Sequence, residues 1–127
     1  MAYEISFTKE LAIHNTSEYV NECCWGGDAV RDQLLPLIAE KFEKIQTDQE
    51  DWGWFIWFRQ GPVYLTIDIF CDDPESGKFR IHLTSRTKKF GLINKVADTP
   101  DLERVREMVC SKIEAWAGSC QVEPIER

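Results

Sequence analysis

Residues 51–86, DWGWFIWFRQGPVYLTIDIFCDDPESGKFRIHLTSR, contain three runs in which apolar side chains recur at every second position. Successive side chains point to opposite faces of a β-strand, so this period of two predicts three strands. Gln60-Gly61 separates the first two runs as a hairpin turn would, and the loop from Asp72 to Gly77 separates the second run from the third. The stretch therefore predicts an antiparallel meander with two chemically different faces.

The apolar pattern also predicts how the first two strands pair. Setting Arg59 opposite Pro62 gives four pairs that are all apolar: Phe58 with Val63, Ile56 with Leu65, Trp54 with Ile67 and Trp52 with Ile69. A slip of one residue would set the same row against Tyr64, Thr66 and Asp68, so the pattern selects one face as the core. Trp54 and Trp57 are thus predicted to point to opposite sides of the sheet.

Upstream of the meander, the sequence predicts a strand and a long helix. Tyr3, Ile5 and Phe7 alternate with polar residues, as in a half-buried strand. Apolar residues at spacings of three and four predict a helix from Asp28 to Gln46, with a kink or break at Pro36, which lacks an N–H group. Residues 47–51 are expected to be a polar connector, and residues 9–26 fit either a continued strand or a short helix.

Downstream of the meander, residues 87–98 are predicted to form a surface connection with a few apolar anchors. Thr99-Pro100 is typical of a helix start, with Thr99 as N-cap, and Gly118 is placed where a C-cap glycine belongs. Cys120 and Val122 suggest a short last strand. Residues 1–127 are expected to form a single α+β domain of order β-α-β-β-β-α-β.

We expect a two-layer sandwich in which an antiparallel sheet of three to five strands carries both helices on one face. That face would contain Trp54, Ile56 and Leu65, together with Ile67 and Ile81. The chain has 127 residues, 43% of them hydrophobic, which is enough to bury a core without metal or disulfide support.

Charge and composition argue against several classes of partner. The 22 acidic and 15 basic residues give a net charge of −7, which would repel a phosphate backbone, so nucleic acid binding is not expected. No run is apolar enough to span a membrane, and the beginning of the sequence does not have the pattern of a signal peptide. Five cysteines scattered through apolar segments indicate reduced thiols, and we expect a cytoplasmic location.

The sheet face opposite the helices is the candidate binding surface, because it combines aromatic, basic and acidic side chains. Its predicted binding residues are Phe55, Trp57, Tyr64, Asp68, Arg80, His82 and Arg86. Asp68 is expected opposite or diagonal to Arg80 and His82, close enough for a cross-strand ion pair. The alternative is a simple solvated sheet, or a second core formed where residues 9–26 fold over this face.

The sequence gives less support to catalysis or metal binding than to a binding surface. Cys23-Cys24-Trp25-Gly26-Gly27 precedes a helix start, where a thiol pKa can be lowered, but known cysteine-enzyme signatures are absent. His82 and Asp68 could act as a base and its orienting carboxylate if a nucleophile such as Thr66 or Thr84 lay within reach. The cysteine and histidine spacing does not match a zinc site, and no cofactor is predicted.

These observations favour a small acidic cytoplasmic module that recognises a protein partner, or a second copy of itself, through the aromatic and basic face. A second hypothesis is a domain that binds a small molecule in a pocket lined by that face and the Cys-Trp-Gly-Gly loop. The third is a thiol-dependent enzyme.

Overall fold

The computed structural model describes residues 2–14, 16–89, 92–96 and 99–125. The elements, in chain order, are β1 (Ala2–Thr8), two single-turn 3-10 helices (Thr16–Glu18 and Glu22–Cys24), α1 (Gly27–Ala39), β2 (Glu43–Glu50), β3 (Gly53–Gln60), β4 (Val63–Asp73), β5 (Lys78–Lys89), β6 (Leu92–Val96), α2 (Pro100–Ala117) and β7 (Gln121–Ile125). The predicted α+β class is confirmed.

The strands form one antiparallel sheet in the order β2-β3-β4-β5-β1-β7, and β6 pairs with β5 as the seventh strand. The prediction of three to five strands and the order β-α-β-β-β-α-β are therefore wrong in detail. Two strands were missed, β2 and β6. Within the described part of residues 87–98, β5 continues to Lys89 and β6 replaces most of the expected surface connection. Residues 90, 91, 97 and 98 of that segment lie outside the described residues.

Strand β2 replaces the last four residues of the predicted helix from Asp28 to Gln46, residues 43–46, and most of the connector expected after it. Pro36 lies inside α1, which ends at Ala39, and Glu43–Glu50 pairs with β3 in place of the expected connector. The helical spacing was misleading because Phe42 enters the same core from the loop between them. Its ring lies 4.8 Å from that of Phe58.

The turn between β3 and β4 is shifted from its predicted place. Gln60 pairs with Val63, so Gly61 and Pro62 form the turn, and Phe58 is opposite Leu65 where Val63 was expected. Gly61 has a φ of 58°, a left-handed conformation that glycine adopts without steric cost. The pairing of β3 with β4 is therefore shifted by two residues from the predicted one. Because side chains alternate with a period of two, every side chain keeps its predicted face.

Both helices pack on one face of the sheet, as predicted. Helix α1 contacts β3 and β4, and α2 contacts β1 and β5. The expected core residues on this face are buried: Trp54, Ile56, Leu65, Ile67 and Ile81. The Thr99 hydroxyl accepts a hydrogen bond from the Leu102 amide at 3.1 Å and caps the start of α2, and Gly118 is its C-cap. Within the described residues, neither helix combines the length and apolar character needed to cross a bilayer.

The described part of residues 9–26 contacts the helix side and one corner of the sheet. Leu11 and Ile13 lie beside Gly26 and Phe79, a residue of the core. The Asn21 side chain donates to the Asp51 carbonyl at 2.8 Å, at the turn between β2 and β3. The contacts of the described part of this segment thus leave the opposite sheet face to solvent.

Candidate binding face

We call the sheet surface opposite the two helices the open face. Strand alternation places on it all seven predicted binding residues: Phe55, Trp57, Tyr64, Asp68, Arg80, His82 and Arg86. Trp54 and Trp57 differ as expected, since Trp54 is 8% exposed beneath α1 and Trp57 is 39% exposed on the other side. The register sets Asp68 directly opposite His82 and Tyr64 directly opposite Arg86.

One half of the open face is an ion-paired cluster of Glu4, Asp72, Arg80 and His82. Arg80 contacts Asp72 at 3.2 Å and Glu4 at 3.6 Å, and His82 Nε2 lies 3.0 Å from Glu4 Oε1. The hydrogen bond to Asp72 raises the pKa of Arg80. Glu4 and Asp72, which were not among the predicted binding residues, thus hold Arg80 and His82 on the sheet.

Phe70 supports the ion-paired cluster from within the sheet. The Arg80 guanidinium lies 4.5 Å from the centroid of the Phe70 ring, and the His82 ring meets the same ring edge-on at 5.0 Å. These contacts and the surrounding carboxylates satisfy much of the bonding capacity of Arg80 and His82. The cluster is therefore better suited to stabilising the sheet than to anchoring a partner.

The other half of the open face contains a groove of about 310 Å³. We call it the aromatic-basic groove; its lining residues are Lys44, Gln46, Trp57, Phe58, Arg59, Tyr64, Leu65 and Thr66. Its size is at the lower end of the range for ligand pockets, enough for a bulky side chain or a small molecule. Of the predicted binding residues, Trp57 and Tyr64 line it.

Trp57 is held in a defined orientation beside the aromatic-basic groove. Its ring stacks on Phe55 at 4.2 Å between centroids, and its indole Nε1 donates to Asp68 Oδ1 at 3.1 Å. Phe55 is 7% exposed, so it supports Trp57 and offers little surface of its own. An exposed indole fixed on one side and at its N–H group loses little conformational entropy when a partner covers it.

Three basic side chains lie around Tyr64 at the hairpin end of the aromatic-basic groove, with Glu43 opposite Arg59 in the β2–β3 register. The Arg59 guanidinium lies 4.6 Å from the Tyr64 ring centroid, and Arg86 is opposite Tyr64 on β5. Lys44 reaches the groove from β2 at a β-bulge, where its φ is 54°. None of the ion pairs in the described part of the chain includes these three cations.

The proposed acid–base pair is not assembled around a hydroxyl group. Thr66 and Thr84 hydrogen-bond to each other across β4 and β5. His82 Nε2 lies near Glu4 and, at 3.1 Å, near Arg80. The structure therefore brings His82 into the ion-paired cluster rather than into a catalytic arrangement with either threonine.

The Cys-Trp-Gly-Gly loop lies on the helix side of the sheet, away from the open face. Trp54 Nε1 donates to the Cys24 carbonyl at 2.8 Å, and Cys24 Sγ donates to the Glu50 carbonyl at 2.9 Å. Burial raises the pKa of the Cys24 thiol, which opposes thiolate formation. In the part of the chain that the structure describes, the sheet separates this loop from the open face, which does not favour a pocket lined by both, and Cys23 is exposed.

Two residues that line the aromatic-basic groove, Lys44 and Gln46, were not predicted because the sequence pattern assigned residues 43–50 to a helix and a connector. The usable signal was the alternation of Ile45, Thr47 and Gln49, which are half-buried, with exposed polar residues. Glu4 was missed for another reason. Its contact with His82 depends on β1 pairing with β5, far apart in the chain.

Comparisons with protein-family models, curated proteins and solved structures found no match to this chain.

Proposed function

We propose that this protein is a small binding module that recognises a protein partner through the open face, with the aromatic-basic groove at the centre of contact. The observation that supports it best is Trp57, exposed beside the groove and held by Phe55 and Asp68. Tryptophan, tyrosine and arginine are the residues most enriched among those that dominate binding energy at protein interfaces.

The contacts on the open face suggest different roles for the predicted binding residues. Trp57, Tyr64 and Arg86 would contact the partner, because they lie in or beside the aromatic-basic groove. Phe55 and Asp68 would position Trp57. Arg80 and His82, already paired with Glu4 and Asp72, would keep the sheet in shape at the margin of the interface.

The test compares Trp57→Ala with Val20→Ala, a control at another exposed apolar side chain. Each variant is immobilised, cell extract from the source organism is passed over it, and retained proteins are identified. A protein retained by wild type and the control but lost with Trp57→Ala is then purified and its affinity measured by calorimetry. We expect at least a tenfold weaker affinity for Trp57→Ala, and a change below twofold for Val20→Ala.

Footprinting with hydroxyl radicals locates the contact directly. The proposal requires the partner to protect Trp57 and Tyr64 from oxidation while Val20 stays reactive. Equal retention and affinity for both variants, with Trp57 still oxidised in the complex, would end the proposal. Thermal melting of each variant is the folding control.

A second candidate is binding of a small anionic, partly apolar molecule, favoured by the groove volume of about 310 Å³ and the cations beside it. Native mass spectrometry of gently purified protein should then show a retained molecule that is lost in Trp57→Ala. Clean spectra of the unliganded chain across several preparations would argue against it. Its site would be the aromatic-basic groove alone, since the cysteine loop is on the other side of the sheet.

We also propose that the protein works in the cytoplasm. All five cysteines are free, at Cys23, Cys24, Cys71, Cys110 and Cys120, and a reducing compartment would keep them so. Fractionation of the source cells, with immunodetection of the protein, tests this assignment. Recovery in a secreted or oxidising fraction would contradict it.

A further inference from the structure

The arginines of the described chain divide into two groups that differ in their ion pairs. Four of the six contact a carboxylate: Arg31, Arg80, Arg104 and Arg106. The other two, Arg59 and Arg86, have no carboxylate within 4.0 Å among the described residues, although the chain has a net charge of −7. Both are neighbours of Tyr64, on the strands to either side of it.

Taking the proposed function as the starting point, we infer that the partner segment bound at the aromatic-basic groove is an acidic, extended peptide. Its carboxylates would pair with Arg59 and Arg86, and an apolar or aromatic side chain would lie against Trp57. Charge complementarity supports this occupant, since Lys44, which forms no ion pair among the described residues, adds a third cation to the groove.

The Arg59 side chain is suited to binding a carboxylate. Its guanidinium lies over the Tyr64 ring at 4.6 Å, and one terminal nitrogen donates weakly to the Gly61 carbonyl at 3.4 Å. Stacking covers one flat side of the guanidinium, and the N–H groups at its edge that do not contact Gly61 remain able to donate hydrogen bonds. Guanidinium groups form paired, in-plane hydrogen bonds with carboxylates, which a lysine cannot reproduce.

The strand spacing sets the separation expected between the two carboxylates. Arg59 and Arg86 lie on strands β3 and β5, with Tyr64 on β4 between them. Two inter-strand steps amount to roughly 10 Å. An extended chain in the polyproline II conformation has three residues per turn and rises about 3.1 Å per residue, so it presents the same face again at nearly that distance. A segment crossing the strands would therefore carry its acidic residues at positions i and i+3.

Negative charge at the far side of Trp57 fixes the orientation of the acidic segment. Asp68 holds the Trp57 indole at 3.1 Å, and Asp72 and Glu4 lie beyond it in the ion-paired cluster. These carboxylates would repel an acidic segment placed over the whole open face. The acidic end must therefore lie toward Tyr64 and the apolar side chain toward Trp57.

The experiment selects binders from a random dodecapeptide phage library on the intact protein and then measures the synthesised consensus peptide by calorimetry. We expect a consensus with Asp or Glu at i and i+3 next to an aromatic residue. Arg59→Gln with Arg86→Gln should weaken that peptide at least tenfold. The control pair Arg104→Gln and Lys112→Gln, with the same charge change on helix α2, should change its affinity less than twofold.

The outcomes separate this inference from the function on which it depends. A neutral or basic consensus whose binding is lost in Trp57→Ala would overturn the acidic partner but keep the binding face. A selection that yields no Trp57-dependent peptide would overturn both. The single-stranded probe dT12 is measured at the same ionic strength, and tighter binding of dT12 than of the acidic peptide would assign the cations to nucleic acid and overturn the inference.

Discussion

Trp54 and Trp57 lie on the same strand, and their indole N–H groups donate hydrogen bonds to acceptors on opposite sides of the sheet. Trp54 Nε1 reaches the Cys24 carbonyl at 2.8 Å beneath the helical layer, and Trp57 Nε1 reaches the Asp68 carboxylate at 3.1 Å on the open face. The first indole joins the N-terminal segment to the core. The second is fixed at the surface, where a partner can cover it.

The two tryptophans should therefore differ in their effect on stability. Trp54→Ala empties a core position and should lower the free energy of unfolding by about 3–5 kcal/mol. Trp57→Ala loses a ring stack, one hydrogen bond and partial burial, so about 1–2 kcal/mol is expected. Urea denaturation followed by circular dichroism measures both. Equal losses would mean that Trp57 is as much a core residue as Trp54.

Any side chain at Gly27, at the start of α1, should lower the stability of the fold. A Cβ atom there would lie 2.4 Å from Trp54 Cδ1, well inside van der Waals contact. Because the indole is buried and hydrogen-bonded, it cannot move aside without strain, and Gly27→Ala should cost about 1–3 kcal/mol in urea denaturation. The matched control is Gly61→Asn: no atom lies within 4 Å of a Cβ there, and asparagine tolerates the left-handed conformation. A control loss as large as that of Gly27→Ala would contradict the packing explanation.

The alternation of apolar residues predicted the faces of the central strands correctly, because the face that a side chain occupies depends only on whether its position along the strand is odd or even. The pairing of β3 with β4 was wrong by two residues, yet Trp54 and Trp57 kept their predicted sides. Turn chemistry carried a signal that the apolar pairing overrode, because a two-residue hairpin turn favours glycine at its first central position, and Gly61-Pro62 meets this where Gln60-Gly61 does not.

Long-range pairing is what the sequence did not reveal. Phe42 and Ile45 continue the helical spacing of α1, although Ile45 belongs to the edge strand β2 and Phe42 to a loop. Lys44 therefore did not enter the predicted site. The contact between His82 and Glu4 could not be predicted either. It forms because β1 lies between β5 and β7 in the sheet, which brings Glu4 beside a residue far away in the sequence.

Alkylation of native protein should distinguish the neighbouring thiols of the Cys-Trp-Gly-Gly loop. Cys23 is exposed, whereas Cys24 is buried and its burial raises the pKa of the thiol. With iodoacetamide at pH 8, mass spectrometry should find Cys23 modified and Cys24 unmodified, and both modified in 6 M guanidinium as the control. Native Cys24 reacting as fast as a free model thiol would restore the thiol-enzyme hypothesis.

Alkaline pH should destabilise the fold through its buried thiols. Burial raises the pKa of Cys71 from 9.0 to about 11, so the folded chain retains a proton that the unfolded chain releases. The stabilising effect is complete below about pH 9 and is lost as the pH rises through 11. Between these values the free energy of unfolding should fall by up to about 1.4 kcal/mol per pH unit from this thiol.

Urea denaturation under reducing conditions at pH 8, 9.5 and 10.5 measures this pH dependence. Cys71→Ala should lower stability at pH 8, because a core side chain is shortened, but it should also flatten the decline at higher pH. Cys23→Ala is the control, since that side chain is exposed in the folded protein, and its decline should match that of wild type. Part of the decline should survive in Cys71→Ala, because burial raises the pKa of Cys110 to about 12 as well. Parallel declines in wild type and Cys71→Ala would show that Cys71 does not contribute to the alkaline loss.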